Sequence, residues 1–415
     1  MITDPREMRI DDFDYPLSDQ RIARYPLPDR AAARLLTYRD GQLADRRFRD
    51  LPDQLAPGTL VIGNRTRVIH ARLIFPLPTG RAVEIFCLEP LDPEDYARSL
   101  SATAGPVSWK CLIGGNRRWK AGPLALSVPL GGRTVRLTAE RTEPIDNAFA
   151  VRFGWEADRT VSFGELIEAA GTIPLPPYLG RAAEGEDRHR YQTVFAEQDG
   201  SVAAPTAGLH FTPEVMDAMQ DRDVRFRTLT LHVGAGTFKP VTAPTLAEHV
   251  MHREFFTVDV ALLRELEAQL AAGRPVVSVG TTSLRCLESL YYAGCLAAQG
   301  EALTEEIGQW VATADRSGMD PAPALRALLD QLEATGATAF AGYTRLLLTP
   351  AAEVRIVDGL ITNFHQPRST LLLLVAAMTG EDWRRIYAHA LDNDYRFLSY
   401  GDSSLLWRRR RAGAE

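Results

Sequence analysis

The stretch "VVSVGTTSLRCLESLYYAG", residues 276–294, decides the class of fold. It opens on a short apolar run that reads as a strand. Gly280 breaks the run, and Thr281, Thr282 and Ser283 follow as a polar loop at a helix start. The same order of strand, polar loop and helix recurs in "LITNFHQPRSTLLLLVAAMTG", 360–380, where Ser369 and Thr370 stand at the helix start beside Arg368. Strands and helices that alternate in this way predict an α/β domain.

Outward from this core the character changes. Residues 1–65 read as a capped entry: "YPLSDQRIARYPLPDR" predicts a short helix between proline turns, and "GTLVIGN" (58–64) a buried strand. Between about 66 and 160 the pattern is all strand. "RVIHARLIF", "AVEIFCLEP", "WKCLIGG", "TVRLTAE" and "AFAVRFGW" are short, β-branched or aromatic, and divided by Gly and Pro. That spacing suggests a small antiparallel β-barrel or sandwich. After 160, "SFGELIEAAG" has helical spacing and a glycine stop. We therefore expect a mixed α/β domain built from 1–65 and 161–415, interrupted by a β-barrel domain over 66–160. A helical excursion is expected over 296–345, where Leu325, Leu328, Leu329 and Leu332 follow i, i+3, i+4, i+7 behind an Asp-Pro start.

Composition bounds the function. With 415 residues, 45% hydrophobic and 24% charged, the chain is an ordinary globular protein. A net charge of −6 argues against coating nucleic acid, though not against a local basic face. Four cysteines without a C-x-x-C pair read as free thiols in a reducing compartment. The charged N-terminus does not read as a signal peptide, and "LLLLVAAM" (371–378) is too short to span a bilayer. A cytoplasmic protein without a membrane partner is the expectation.

Several motifs carry chemistry. A helix start such as "GTTS" (280–283) exposes N–H groups and partial positive charge, which suits phosphates and carboxylates; equally, its hydroxyls can simply cap the helix. "SVAAPTAGLHFT" (201–212) gathers small residues beside His210, which leaves room for something other than protein. In "LHVGAGTFKP" (231–240), Gly234 and Gly236 allow close backbone approach, yet the spacing is neither a P-loop nor a dinucleotide fingerprint. His210, His232 and His365 each sit in a Gly/Pro/Thr-rich joint, so a shared cleft with proton-transfer capacity is a candidate. "EHVMHRE" (248–254) is not H-E-x-x-H and reads as polar surface, so no metal is expected. "GGNRRWK" (114–120) sets Arg117, Arg118 and Lys120 around Trp119, a pattern for phosphate contact and base stacking, or for a charged turn beside a core tryptophan.

Together these motifs resemble the QueA family, the S-adenosylmethionine:tRNA ribosyltransferase-isomerases. The resemblance runs nearly end to end, through "DFDYPLSDQRIARYPLPDR", "NRTRVIHARL", "IPLPPYLGR", "RYQTVFAEQDGSVAAPTAGLHFT", "TLHVGAGTFKPV", "HVMHREFF", "SVGTTSLRCLES", "LITNFHQPRSTLLLLVAA" and "YRFLSYGDSSLL". It implies an α/β domain interrupted by a β-barrel. It also implies a reaction on tRNA carrying 7-aminomethyl-7-deazaguanine at the wobble position. The ribosyl part of S-adenosylmethionine moves to the aminomethyl nitrogen and isomerises, giving epoxyqueuosine tRNA, adenine and methionine. S-adenosylmethionine is consumed, and neither metal nor other cofactor is implied. Two departures stand out: Arg65 replaces a usual acidic residue, and the 296–345 stretch resembles a longer subgroup of the family. A relative with a different ribosyl acceptor, or one that binds tRNA without turnover, are the alternatives.

The chemistry implied needs a base beside the acidified 5′ carbon, an acid for departing adenine and walls that tolerate a sulfonium. Its candidates are His210, His232, His365 and Asp402 for proton transfer or counter-charge. Thr206, Gly208, Gly234, Gly236, Thr281, Thr282 and Ser283 are the candidates to hold S-adenosylmethionine. For tRNA we expect a basic patch of Arg65, Arg67, Arg117, Arg118 and Lys120, and a monomeric enzyme.

Overall fold

The structure is a computed structural model that describes residues 4–157, 160–234, 241–314 and 318–409. Among them, a mixed ten-stranded sheet organises the larger part. Its strands lie in the order Glu306–Ile307, Ala339–Thr344, Glu254–Asp259, Arg225–Leu231, Leu60–Asn64, Val276–Val279, Gly359–Asn363, Ser403–Trp407, Arg34–Arg39 and Gln42–Arg47. The centre is parallel: Leu60–Asn64 runs with Arg225–Leu231 and with Val276–Val279, which runs with Gly359–Asn363. Antiparallel neighbours flank it, Glu254–Asp259 on one side and Ser403–Trp407 on the other. Leu60–Asn64, Val276–Val279 and Gly359–Asn363 are buried at every residue. Covered on both faces, they are written as continuous runs rather than alternations.

The helix Thr281–Ala298 supplies much of that cover and is itself buried from Thr281 through Cys295. Outside it lies the helix Pro321–Ala334, whose Leu325, Leu328, Leu329 and Leu332 are all buried, as their spacing predicts. Each leucine so buried contributes about 1.5–3 kcal/mol. The two helices touch at Gly294, where a Cβ would come 2.2 Å from the Ala324 carbonyl oxygen. The 296–345 segment is more than a helical excursion, since Glu306–Ile307 and Ala339–Thr344 add strands to the main sheet. A second sheet helix, Thr370–Thr379, starts where Ser369 Oγ accepts from Leu372 N at 3.2 Å.

A six-stranded antiparallel sheet forms the other unit. It runs Arg72–Pro76, Ala82–Asp92, Val107–Gly114, Ala148–Glu156, Arg133–Ile145, Leu124–Leu130. Its two edge strands approach one another, but no ladder joins them among the described residues. It has its own core around Trp109 and Phe153, which takes in Phe163, Leu166 and Ile167 from the helix Phe163–Ala170. The stretch "YPLSDQRIARYPLPDR" forms no full helix. It holds a 3-10 turn, Asp19–Arg21, after which Ile22 is extended and bridges to Phe397. All four cysteines are free and buried, and no described helix is long and apolar enough to cross a membrane.

Candidate active site

Three separate sequence motifs are stitched together at the end of the central strand. Buried Asn64 grips Leu231, its Oδ1 accepting from the amide at 3.0 Å and its Nδ2 donating to the carbonyl at 2.9 Å. Ser201 Oγ donates to Thr66 Oγ1 at 2.6 Å and accepts from Val233 N at 3.0 Å. The chain then runs through Val202–Pro205 into a 3-10 turn, Thr206–His210, before Thr212 caps the helix Pro213–Gln220. Those bonds hold the small-residue stretch as a fixed wall.

The wall encloses space. Ala203, Ala204, Pro205, Thr206 and Ala207 line a cavity of about 710 Å³, mouth included. Gly280, Thr281 and Thr282 line it too, at the start of the helix Thr281–Ala298. Gly280 has φ +89° and ψ 149°, a conformation glycine alone adopts readily, and no side chain caps this helix end. The positive end of the helix dipole therefore faces the cavity. Thr362, Asn363 and His365, from the end of the strand Gly359–Asn363, complete the polar surface. Thr206 Oγ1 donates to Asn363 Oδ1 at 2.9 Å, and Thr362 Oγ1 pairs with His365 Nε2 at 2.8 Å. His365 is further fixed through its backbone, whose N–H donates to the Tyr387 hydroxyl at 3.1 Å and whose carbonyl accepts from Tyr15. Burial pushes the His365 pKa from 6.5 down to about 3, so the ring is neutral at pH 7. With it neutral, the described lining carries no formal charge.

The other sequence candidates lie at varied distances from this space. His210 lies behind the wall, its Nε2 3.3 Å from Asn363 Nδ2 and its ring against Phe48. It faces an adjoining pocket, and burial, followed by the charge of Arg396, lowers its pKa to about 3. Asp402 is buried with both oxygens engaged: Oδ1 accepts from Arg34 N at 2.9 Å and Oδ2 from Arg396 N at 2.8 Å. His232 does not line the cavity. Its ring stacks on Tyr96 of the antiparallel unit, with centroids 4.0 Å apart. Gly208 backs the wall, where a Cβ would meet Phe195 at 2.7 Å and Thr193 at 2.8 Å. Ser283 is buried within the helix, and Gly234 N donates to Glu254 Oε1 at 3.4 Å. Gly236, like Arg410 and Arg411 of the terminal arginine run, lies outside the described residues.

The cations expected for tRNA come from two parts of the chain. Arg65 donates to Thr230 Oγ1 at 3.0 Å and pairs with Asp259, while Arg67 pairs with Asp199 at 3.7 Å. Arg117, Arg118 and Lys120 are exposed at the turn Asn116–Arg118, and Arg118 bonds the carbonyl of Ala82. Ala82 pairs with Pro76, whereas Arg72 at the other end of that strand pairs with Thr172. Arg65 and Arg67 lie beside and on the strand Thr66–Val68, and the other three at the turn that follows Val107–Gly114. In "EHVMHRE", His252 lies 3.4 Å from Glu254, which pairs with buried Arg285. Among the described residues, no group of three or more His, Cys, Asp or Glu side chains is placed to hold a metal ion.

Sequence reasoning missed Asn363, Tyr178 and Ser399. Asn363 joins the Thr206 hydroxyl to His210, and Tyr178 bonds Ser399 across the cavity lining at 2.6 Å. Asn363 had a signal: an amide closing a strand whose every residue is buried must find partners.

The family model described as "Queuosine biosynthesis protein" matches residues 10–406. A relative from Xanthomonas oryzae pv. oryzae, named S-adenosylmethionine:tRNA ribosyltransferase-isomerase, is 40% identical over 408 residues, covering 97% of this chain and 98% of its own. One of the same name from Azoarcus sp. is 39% identical over 402 residues, with 97% and 98% covered. The crystal structure of S-adenosylmethionine tRNA ribosyltransferase from Thermotoga maritima aligns at a TM-score of 0.45 and 27% identity, covering 95% of this chain and 99% of that one. By the extent of these matches, the chain belongs to the queuosine biosynthesis protein family.

Proposed function

We propose that the cavity beside Asn363 and His365 binds S-adenosylmethionine for transfer of its ribosyl part to tRNA. The chain is an S-adenosylmethionine:tRNA ribosyltransferase-isomerase of queuosine biosynthesis, the activity its full-length relatives are named for. The acceptor is the aminomethyl group of 7-aminomethyl-7-deazaguanine at the wobble position. One observation carries the placement: the cavity is lined by hydroxyls, an amide and a neutral imidazole, with no cation to repel a sulfonium. The uncapped helix end at Thr281 and Thr282 suits the methionine carboxylate. The Ala203–Ala207 wall leaves room for the purine.

Proton transfer from the 5′ carbon to neutral His365 moves a positive charge from sulfonium to imidazolium without creating a new one. The desolvation cost of the buried imidazolium is therefore matched by the loss of the buried sulfonium charge. His210 acts through Asn363, and Asp402 holds the backbone around Arg34 and Arg396 in place. His232 acts at the joint between the two sheets. Residues 66–160 form an inserted domain, and Arg65, Arg67, Arg117, Arg118 and Lys120 meet the tRNA at two separate contacts. The enzyme works as a cytoplasmic monomer, a compartment that suits its four free thiols.

The test is to fill the cavity. Ala204→Leu should abolish S-adenosylmethionine binding by calorimetry while the protein remains folded. Unchanged affinity would move the substrate elsewhere. His365→Ala should slow single-turnover adenine release at least about 100-fold with tRNA bound; an unaltered rate removes it from proton transfer.

A further inference from the structure

Behind the small-residue wall lies a second, smaller pocket of about 280 Å³, mouth included, separated from the first by His210 and sharing Ser399 with it. Three guanidinium groups converge on it: Arg30, Arg190 and Arg396. Each is only half-buried, so the pocket is reached from solvent. Their planes are held by carbonyl oxygens. Arg30 donates to the carbonyls of Gln192 at 2.6 Å and His189 at 2.7 Å, Arg190 to that of Pro28 at 3.2 Å, and Arg396 to that of Tyr25 at 3.5 Å. Arg30 and Arg190 make no ion pair among the described residues. Asp402 is 3.7 Å from Arg396, and its two oxygens already serve backbone amides. Crowding shows in Arg30, whose pKa is lowered by burial and by the charge of Arg190. Two guanidinium groups without a carboxylate partner, beside a third whose Asp402 is spent on backbone amides, leave net positive charge to seat an anion.

We propose that Arg30, Arg190 and Arg396 bind a backbone phosphate of the tRNA next to the nucleotide being modified. S-adenosylmethionine carries no phosphate, and its carboxylate has the uncapped helix end inside the main cavity. A phosphodiester anchored here places the neighbouring base at the boundary of the two pockets, where Ser399 and Tyr178 are bonded to each other. The arginine forks fix the strand, and base-specific contacts are left to the cavity. This contact is distinct from the cations of the antiparallel unit, and it rests on the tRNA-modifying activity proposed above.

The test uses the wild-type enzyme and an anticodon stem-loop carrying 7-aminomethyl-7-deazaguanine. Each phosphate flanking that nucleotide is replaced in turn by a neutral methylphosphonate. One replacement should weaken RNA binding about 10–100-fold. It should also reduce the salt slope by about 0.7. In Arg30→Gln and Arg190→Gln enzymes the unsubstituted stem-loop should bind with the same deficit, and the methylphosphonate should cost little more. Affinity for S-adenosylmethionine alone should stay unchanged in both. If every methylphosphonate binds like the parent, or if the variants lose S-adenosylmethionine rather than RNA, the proposal is overturned. Absence of any turnover on the unsubstituted stem-loop would instead refute the activity on which it rests. Should the variants fold poorly, the methylphosphonate series on wild-type protein still decides.

Discussion

Acid should loosen this protein through its buried histidines, and His232 is where the effect can be isolated. The ring is 4% exposed, stacked flat on Tyr96, and pressed on the backbone of Gly200, where a Cβ would come 2.4 Å from Nδ1. Burial pushes its pKa from 6.5 to about 4. The unfolded chain takes up the proton near pH 6.5; the folded protein refuses it until about pH 4. Stability linked to this group is therefore complete above pH 6.5 and is lost as pH falls toward 4. At pH 5 the unfolded state gains about a thirty-fold weight from protonation and the folded state almost none, a difference of about 2 kcal/mol. His232→Phe keeps the stack and removes the titration. Urea unfolding of both proteins at pH 7.5 and pH 5 gives the comparison. Any constant strain from the bulkier ring cancels when each protein is compared with itself. Wild type should lose about 2 kcal/mol more than the variant between the two pH values. Equal losses would mean that the imidazole is protonated in the folded state, and the reasoning from burial would fail.

Two further substitutions probe the walls. Gly208→Ala adds a methyl group where Phe195 and Thr193 leave less than 3 Å, so thermal unfolding should show a loss of about 1–3 kcal/mol; full stability would show that the 3-10 turn shifts freely. Glu254→Gln leaves buried Arg285 without its charge partner and should cost about 3–5 kcal/mol, whereas Glu254→Leu with Arg285→Met should recover much of it. Equal stabilities of the single and double variants, measured by chemical denaturation, would contradict that pairing.

The sequence made some elements plain and hid others for physical reasons. Residues 276–294 and 360–380 were readable because a strand buried on both faces and a helix start leave unmistakable residue types. The leucines of 321–334 were readable because their periodicity matches a single buried stripe. Strand Leu124–Leu130 escaped because it carries Pro129, which a sheet tolerates at its edge, where this strand lies. The hairpin Arg34–Arg47 escaped although Asp40 and Gly41 take the positive φ values of a tight turn, 49° and 80°. Its second strand is mostly exposed and shows no alternation. Similar joints around three histidines suggested one cleft, yet the described cavity lining includes His365 alone of the three. Local composition marks a joint but does not encode which way its side chain turns. His232 turns toward Tyr96, a contact that depends on how the two sheets meet.

The central claim concerns which acceptor receives the ribosyl group, and adenine reports on it directly. We would incubate the enzyme with S-adenosylmethionine, with and without tRNA carrying 7-aminomethyl-7-deazaguanine, follow free adenine by chromatography, and weigh the modified nucleoside. Release confined to the modified tRNA, with a matching gain in nucleoside mass, is the predicted result. Adenine released equally without that tRNA, or tRNA bound with no adenine released, would contradict it.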